Sequence, residues 1–385
     1  MTASRTRETG TAPRATGPAA TAGTVGNGAS RLVRLRRSDT TVPGLRRRRR
    51  GDRFVYLHPD GKIVREPETL RRIEELKIPP AWNRVWISPW PNGHLQAMGT
   101  DAAGRRQYLY HERWRLRRDT QKFRRMQEFA RALPQLRREV AAGLARPGLG
   151  RERVLACAVR LLDRAYLRSG GSEYAANGSF GLATLRREHV IVRRGGRIEL
   201  EFPGKAGVQQ RRSLVDPDAG RVLCALKARK GGDDELLAYR GRRGTWVDVR
   251  SDDINDFIKQ VTGGDFTAKD FRTWHATVLA AVALAVSMPA TRSEHARKRA
   301  VARAIAEVSD YLGNTPAVCR RSYVDPRVIE RYREGRTILL ALDEVGGGAA
   351  PDELEAWEAV EAAVLGLLDG QARRLGRRYA WLTAA

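Results

Sequence analysis

The sequence predicts an α+β fold: a small β-rich N-terminal domain followed by a larger, mainly α domain that carries a three-stranded β insertion. Three observations carry this reading. Between Arg53 and about Tyr110, short runs rich in β-branched and aromatic residues alternate with turn residues: RFVYL, HPDG, KIV, VWIS, PWPNG, HLQAM, TDAAG and RRQYLY. From about Arg115 the hydrophobic period lengthens to that of helices. Inside the helical part, HVIVR, a turn at Gly195 and Gly196, RIELEF, the loop PGKAG and VQQRRSLV read as three strands in hairpin order. With 385 residues, 42% of them hydrophobic, the chain can bury a core in two or three domains.

Taken in order, residues 1–30 are rich in small and turn-forming types without hydrophobic periodicity, and are expected to be a disordered extension. The Arg46 to Arg50 run reads as a flexible phosphate-binding arm or, with at least equal weight, a solvated charge run, and is not taken as a site. Residues 31–115 form the β-rich domain, interrupted by a short helix over PETLRRIEELK. Residues 116–340 form the helical domain, opening with KFRRMQEFARALPQLRREVAAGLA and, after the breaker RPGLG, RERVLACAVRLLDRAYLRSG. Lys205 falls at the tip of a hairpin in the insertion. Thr267 and Asp270 read as a capping box opening AKDFRTWHATVLAAVALAV, with Arg272 in its early turns, a natural phosphate-binding position. A later helix, SEHARKRAVARAIAEVSDYL, closes on Gly313. Thr315 and Pro316 then look like the N-cap and first residue of a short helical segment carrying Tyr323, which Asp325-Pro326 terminates. Residues 341–385, with EAWEAVEAAVLGLL, are expected to add an amphipathic helix.

Charge narrows the partner. Lys and Arg number 71 against 44 Asp and Glu, a formal net charge of +27 and a pI near 11.0. Part of the arginine enrichment can reflect coding bias, but the net excess points to a polyanion. Cys157, Cys224 and Cys319 are odd in number, far apart and in no CxxC pairing, which indicates neither a disulfide framework nor a zinc site and suggests a reduced, cytoplasmic setting. No apolar run is expected to reach the roughly 20 residues needed to span a bilayer, and the N-terminus lacks a signal-peptide core. There is no GxxxxGK[ST] loop, since Glu199 stands where one would begin ahead of Gly204 and Lys205, and HERWR at His111 lacks the second histidine of HExxH. No metal and no nucleotide cofactor are expected.

The chemistry is carried by GNTPAVCRRSY, where Tyr323 follows Arg320 and Arg321, downstream of a second basic segment around Arg272. A phenol with a pKa of about 10 becomes a nucleophile toward a phosphodiester when cations favour the phenolate and neutralise charge on phosphate oxygens. For Lys205, the reading as a proton donor reaching into a groove stands beside that of an exposed turn lysine. His275, one turn past Arg272, is expected in the core or behind the site.

Five ordered segments resemble the bacterial, poxvirus-type branch of type IB DNA topoisomerases. They are IPPAWNRVWISPWPNGHLQAMGTDAAGRRQYLYH, LLDRAYLRSGGSEYAANGSFGLATLRREHV, FPGKAG, FTAKDFRTW and GNTPAVCRRSY, spread over about residues 31–340. The resemblance implies a catalytic core of the tyrosine recombinase and type IB topoisomerase kind, and a monomeric two-domain clamp around duplex DNA. It implies that Tyr323 attacks a DNA phosphodiester and becomes linked to the 3′ phosphate, releasing a 5′ hydroxyl. Arg168 and Arg272 then bind the nonbridging oxygens, Lys205 protonates the 5′ oxygen, and Asn314 donates a hydrogen bond. Asn314 stands where the viral branch has histidine; a neutral amide cannot shuttle a proton, which confines it to hydrogen bonding. Gln107, Tyr108 and Tyr110 are implied to face the duplex from the β domain and Tyr174 to approach it from the helical one, although alternate tyrosines on a strand also pack into cores. Two other readings remain: a tyrosine recombinase with a similar Arg, Lys and Tyr core, and a non-catalytic DNA-binding protein.

Overall fold

The computed structural model describes residues 34–291, 293–345 and 354–370; the extension predicted over residues 1–30 lies outside them. The chain divides into two compact units, Met1–Arg117 and Arg118–Ala385.

The first unit is built on strands β1 (Leu45–Arg50), β2 (Arg53–Leu57), β3 (Asn83–Ile87), β4 (Leu95–Thr100) and β5 (Arg106–Tyr110), with helix α1 (Pro67–Glu75) between β2 and β3. The strands form an antiparallel sheet in the order β2-β1-β3-β4-β5. Leu45, Val64, Ile73, Ile87 and Ala97 form the centre of its core. The arginine run is neither an arm nor a free charge run: it is β1, with Arg47 opposite Tyr56 and Arg49 opposite Phe54. Arg47 donates to the carbonyls of Ile78, Pro79 and Trp82 at 3.1, 2.9 and 2.7 Å and lies 4.2 Å over the Phe54 ring. Its charge is thus absorbed by backbone acceptors and a π face, while Arg46 and Arg48 are exposed. The KIV segment contributes only a bridge from Ile63 to Leu57.

The second unit is mainly helical. Helix α2 (Glu112–Ala145), most of which lies in this unit, buries Phe123, Met126, Ala130, Leu133, Val140 and Leu144 along one stripe. Helix α3 (Arg151–Ala165) is buried almost throughout its apolar length. After the short α4 (Ser172–Ala175), strands β6 (Val190–Val192), β7 (Arg197–Pro203) and β8 (Gln209–Val215) form the three-stranded antiparallel insertion. Helix α5 (Pro217–Lys227), a β9 (Ala238–Arg240) and β10 (Trp246–Asp248) ladder, and α6 (Ser251–Thr262) lead to α7 (Ala268–Ser287) and α8 (Glu294–Leu312). The chain continues through α9 (Pro316–Ser322), α10 (Pro326–Arg333), α11 (Leu339–Val345) and α12 (Leu354–Leu368). Asp325 does more than end the Tyr323 segment: its carboxylate accepts from Arg327 N at 2.9 Å and caps α10.

The expectation that no apolar run would be long enough to cross a bilayer needs correction, because Ala268–Ala290 meets that test by length and composition. Its apolarity has another cause: α7 packs against α3, α6, α8, α10, α11 and α12, so it is apolar on most sides. The helix is anchored near one end by the predicted capping box, with Asp270 accepting from Thr267 N at 2.8 Å. Helix α12 is tied to this bundle by charge as well as packing. Buried Arg137 of α2 binds Asp163 of α3 through Nε (2.8 Å) and Nη2 (3.1 Å), and Glu361 of α12 through Nη1 (2.6 Å) and Nη2 (3.1 Å). Trp274 Nε1 also donates to Glu361, at 2.9 Å.

Candidate active site

Residues from three separate stretches of the second unit meet at the C-terminus of α8. That helix ends on Gly313, whose φ of 58° is the left-handed cap conformation that glycine adopts without a Cβ penalty. The last carbonyls of a helix have no partners within it and carry the negative end of its dipole. Here they accept from arginines. Arg272 Nη2 binds Leu312 O at 2.7 Å and its Nη1 binds Tyr166 O at 2.7 Å. Arg168 Nη2 binds Gly313 O at 2.9 Å and Asn314 Oδ1 at 2.7 Å. Tyr166, which supplies a carbonyl, is itself held in a left-handed conformation at the end of α3, φ 55°, unusual for a non-glycine residue.

Tyr323 caps the end of α9 and is half-buried. Thr277 of α7 fixes its backbone by donating to Tyr323 O at 3.2 Å, and the Arg272 guanidinium lies 5.5 Å from its ring centre. Burial pushes the Tyr323 hydroxyl up, but the charges and hydrogen bonding of Arg272 and Arg168 outweigh it and hold the phenol below its ordinary value. Arg272 is 4% exposed; burial, then the charge of Arg168, pushes its guanidinium down to about 10 despite the opposing effect of Tyr323. Arg272 Nε and Asn314 Nδ2 are buried without a hydrogen bond among the described residues, which is uncommon for buried donors in native proteins.

A narrow cleft opens onto this cluster, lined by Tyr166, Leu167, Arg168, Phe180, Phe202, Gly204, Lys205, Gln210, Arg212, Arg272, Leu312 and Gly313. None of these is a carboxylate. With no lining counter-charge, the guanidiniums of Arg168 and Arg272 and the Lys205 ammonium make a site for an anion with several oxygens, while the Nη groups of Arg212 are taken up by Arg211 O, Gln210 Oε1 and Tyr311 O. Lys205 is exposed in a 3₁₀ turn between β7 and β8, at the predicted hairpin tip.

The model for "Eukaryotic DNA topoisomerase I, catalytic core" matches residues 111–338, more than half of the chain and all of this cluster. The chain belongs to the type IB DNA topoisomerase family. A second description, "Bacterial DNA topoisomerase IB, N-terminal domain", matches residues 53–101. The chain is similar to DNA topoisomerase 1B of Acanthamoeba polyphaga mimivirus, 29% identical over 308 residues, covering 76% of this chain and 88% of that protein. It is also similar to DNA topoisomerase 1 of Mycosarcoma maydis, 26% identical over 215 residues, which is 50% of this chain and 20% of that protein's length. As a type IB topoisomerase it is an isomerase acting on DNA.

Of the residues the sequence singles out, Arg168, Lys205 and Arg272 line one cleft, Asn314 bonds to Arg168, and Tyr323 lies beside Arg272. His275 is buried, its Nε2 3.2 Å from Asp163 Oδ1, and its ring packs edge-on against Tyr166. Tyr174 on α4 is 61% exposed. In the first unit, Tyr108 and Tyr110 stack on each other, exposed on one face of β5, whereas Gln107 is on the other face, bonded to Asp101 at 2.9 Å. Arg320 and Arg321, the cations nearest Tyr323 in sequence, are exposed; the ones acting on its phenol come from α7 and the segment after α3. Sequence reasoning missed Gln210 and Arg212. The available signal was the alternation in VQQRRSLV, which puts both on the face of buried Leu214. The grouped carboxylates of Asp233, Glu235 and Asp248, which lie within 4.8 Å of one another, are the described group that could hold a cation; they are not part of the cleft lining.

Proposed function

We propose that the enzyme relaxes DNA by exchanging a phosphodiester between a DNA 5′ oxygen and Tyr323, and the observation that carries this is the depressed phenol of Tyr323 beside the paired guanidiniums of Arg272 and Arg168. The Tyr323 oxygen forms a bond to phosphorus while the bond from phosphorus to the 5′ oxygen breaks. The strand is left attached through its 3′ phosphate. Arg168 and Arg272 hold the nonbridging oxygens, where charge grows in the transition state, and the free Asn314 amide donates a further hydrogen bond. The leaving 5′ alkoxide is strongly basic, so Lys205 supplies its proton. Religation reverses each step: the 5′ hydroxyl attacks, its proton returns to Lys205, and the phenolate departs. The number of phosphodiester bonds is unchanged, so neither nucleotide hydrolysis nor metal is needed, and torsional strain is released by rotation while one strand is open.

The exposed tyrosine pair Tyr108 and Tyr110, together with Tyr174, contributes contacts to the duplex outside the reacting phosphate, whereas Gln107, turned to the other face of β5 and held by Asp101, does not share that surface. The net charge of +27 supports duplex DNA as the partner of a monomeric enzyme, and the free cysteines at 157, 224 and 319 suit a cytoplasmic, nucleoid location. The test is a denaturing quench of enzyme with a duplex labelled at the 5′ end of its cleaved strand. Label should transfer to the wild-type protein and not to Tyr323→Phe, which should still bind the duplex. Equal labelling of both proteins would remove Tyr323 from the nucleophile's place.

A further inference from the structure

The hairpin that presents Lys205 is closed at its tip by backbone bonds, Gly204 N to Val208 O at 2.9 Å and Gly207 N to Gly204 O at 3.0 Å, and Pro203 O accepts from Phe180 N at 2.8 Å; among the described residues, however, no hydrogen bond or ion pair holds the Lys205 ammonium, and the side chain is exposed. A further attachment, made by side chains, lies on β8. Gln210 is wedged between the hairpin neck and the cap of α8. A Cβ on Gly204 would fall 2.7 Å from Gln210 Cγ, and one on Gly313 would fall 2.8 Å from Gln210 Oε1. Arg212 completes the seam. Its Nη2 donates to Gln210 Oε1 at 3.0 Å and to Tyr311 O at 2.6 Å, and its Nη1 donates to Arg211 O at 2.7 Å. Tyr311, Leu312 and Gly313 therefore each give their carbonyl to a different arginine: Arg212, Arg272 and Arg168. Arg212 shares the cleft with the other two, has a buried Nε without a partner, and is pushed down first by burial.

We propose that Arg212, acting through Gln210, is a positioning residue for the general acid. It locks the β7–β8 hairpin onto the C-terminus of α8, the same helix end that orients Arg168 and Arg272, so that the Lys205 ammonium stays in register with the phosphate the arginines hold. This rests on the reading of Lys205 as the proton donor. A long, flexible side chain on a glycine-flanked turn delivers protons efficiently only if its base is fixed, since misplacement by about 1 Å can cost on the order of 100-fold.

The test compares single-turnover cleavage of two duplexes identical except at the bridging 5′ atom, oxygen in one and sulfur in the other. A thiolate, conjugate to an acid of pKa about 8.5, leaves without a proton donor, whereas an alkoxide does not. Arg212→Gln should slow cleavage of the oxygen duplex roughly 10- to 100-fold and leave the sulfur duplex near the wild-type rate. Gln210→Ala, which keeps the guanidinium, should reproduce that pattern, and it decides the matter if Arg212→Gln fails to fold. Equal losses on both duplexes, or no loss on oxygen, would overturn the proposal. Lys205→Ala is the control: loss on oxygen with rescue by sulfur upholds the underlying reading, and equal loss on both would remove Lys205 as the acid and this role of Arg212 with it.

Discussion

Replacing Arg137 by methionine tests whether the buried charge cluster, and not apolar packing alone, ties α12 to the rest of the helical unit. Arg137, Asp163 and Glu361 have side chains only 5%, 5% and 8% exposed. Methionine approximates the volume of the arginine stem but leaves two buried carboxylates facing a lost cation. Breaking a buried pair in this way costs about 3–5 kcal/mol, mostly as the penalty of an uncompensated charge. For a unit of this size each kcal/mol moves Tm by about 2–4 °C, giving a fall of roughly 6–20 °C. The sign with pH follows from Asp163. Burial pushes its carboxyl up, but Arg137 above all, and then His275, hold it below the ordinary range. In the wild type its contribution is present above the ordinary carboxylate value and is lost only as pH falls through the lower folded value. Without Arg137 burial prevails and the carboxyl rises, so the penalty is present above that raised value and is relieved as acid protonates it. The variant's deficit should therefore be larger at about pH 8 than at about pH 5. Differential scanning calorimetry at both pH values measures it, and a Tm drop under about 2 °C, or a deficit unchanged by pH, would refute the reasoning.

Other consequences are equally measurable. Arg272→Ala should lower the single-turnover cleavage rate by about 100- to 1,000-fold, as loss of a transition-state donor does, while duplex binding at fixed salt changes little; comparable losses in both would place Arg272 in binding alone. Because Arg272 and Arg168 outweigh burial at Tyr323, the cleavage rate should rise with pH to a midpoint below the ordinary phenol value, and Arg168→Ala should move that midpoint upward; a wild-type midpoint at or above about 10 would contradict this. Arg47→Ala should destabilise the β-rich unit by about 1–3 kcal/mol because the carbonyls of Ile78, Pro79 and Trp82 lose their guanidinium donor, whereas Arg48→Ala, exposed on the same strand, should leave the melting curve in place. Gly313→Ala should cost about 1–2 kcal/mol for a left-handed Cβ and should also slow cleavage, since the new methyl meets Gln210; wild-type cleavage would show that the cap geometry does not matter.

Local signals served the sequence reading well where the chain solves a local problem. The Gly195-Gly196 turn, the Thr267 and Asp270 box, and the glycine at 313 each specify a backbone conformation by their own chemistry, and each is found in its expected role. Strand β1 was illegible because five consecutive arginines look solvated; it took β2 beside it and the carbonyls of Ile78, Pro79 and Trp82 to make Arg47 a structural residue. The uniform apolarity of α7 was undervalued for the opposite reason, since neighbours from six elements enclose it. At the site, adjacency misled. Arg320 and Arg321 flank Tyr323 in sequence but sit exposed on α9, while the arginines acting on its phenol arrive from about 50 and 150 residues away and are brought in by the α8 carbonyls. Arg212 was hidden in the same way, its bond to Tyr311 spanning 99 residues.

Relaxation of supercoiled plasmid in EDTA without ATP, wild type against Tyr323→Phe, tests exchange through Tyr323 most directly. The wild type should relax the plasmid completely and the variant not at all, with both proteins retaining plasmid in a gel shift. Relaxation by Tyr323→Phe, or a wild type that is inert until metal or nucleotide is added, would contradict that mechanism.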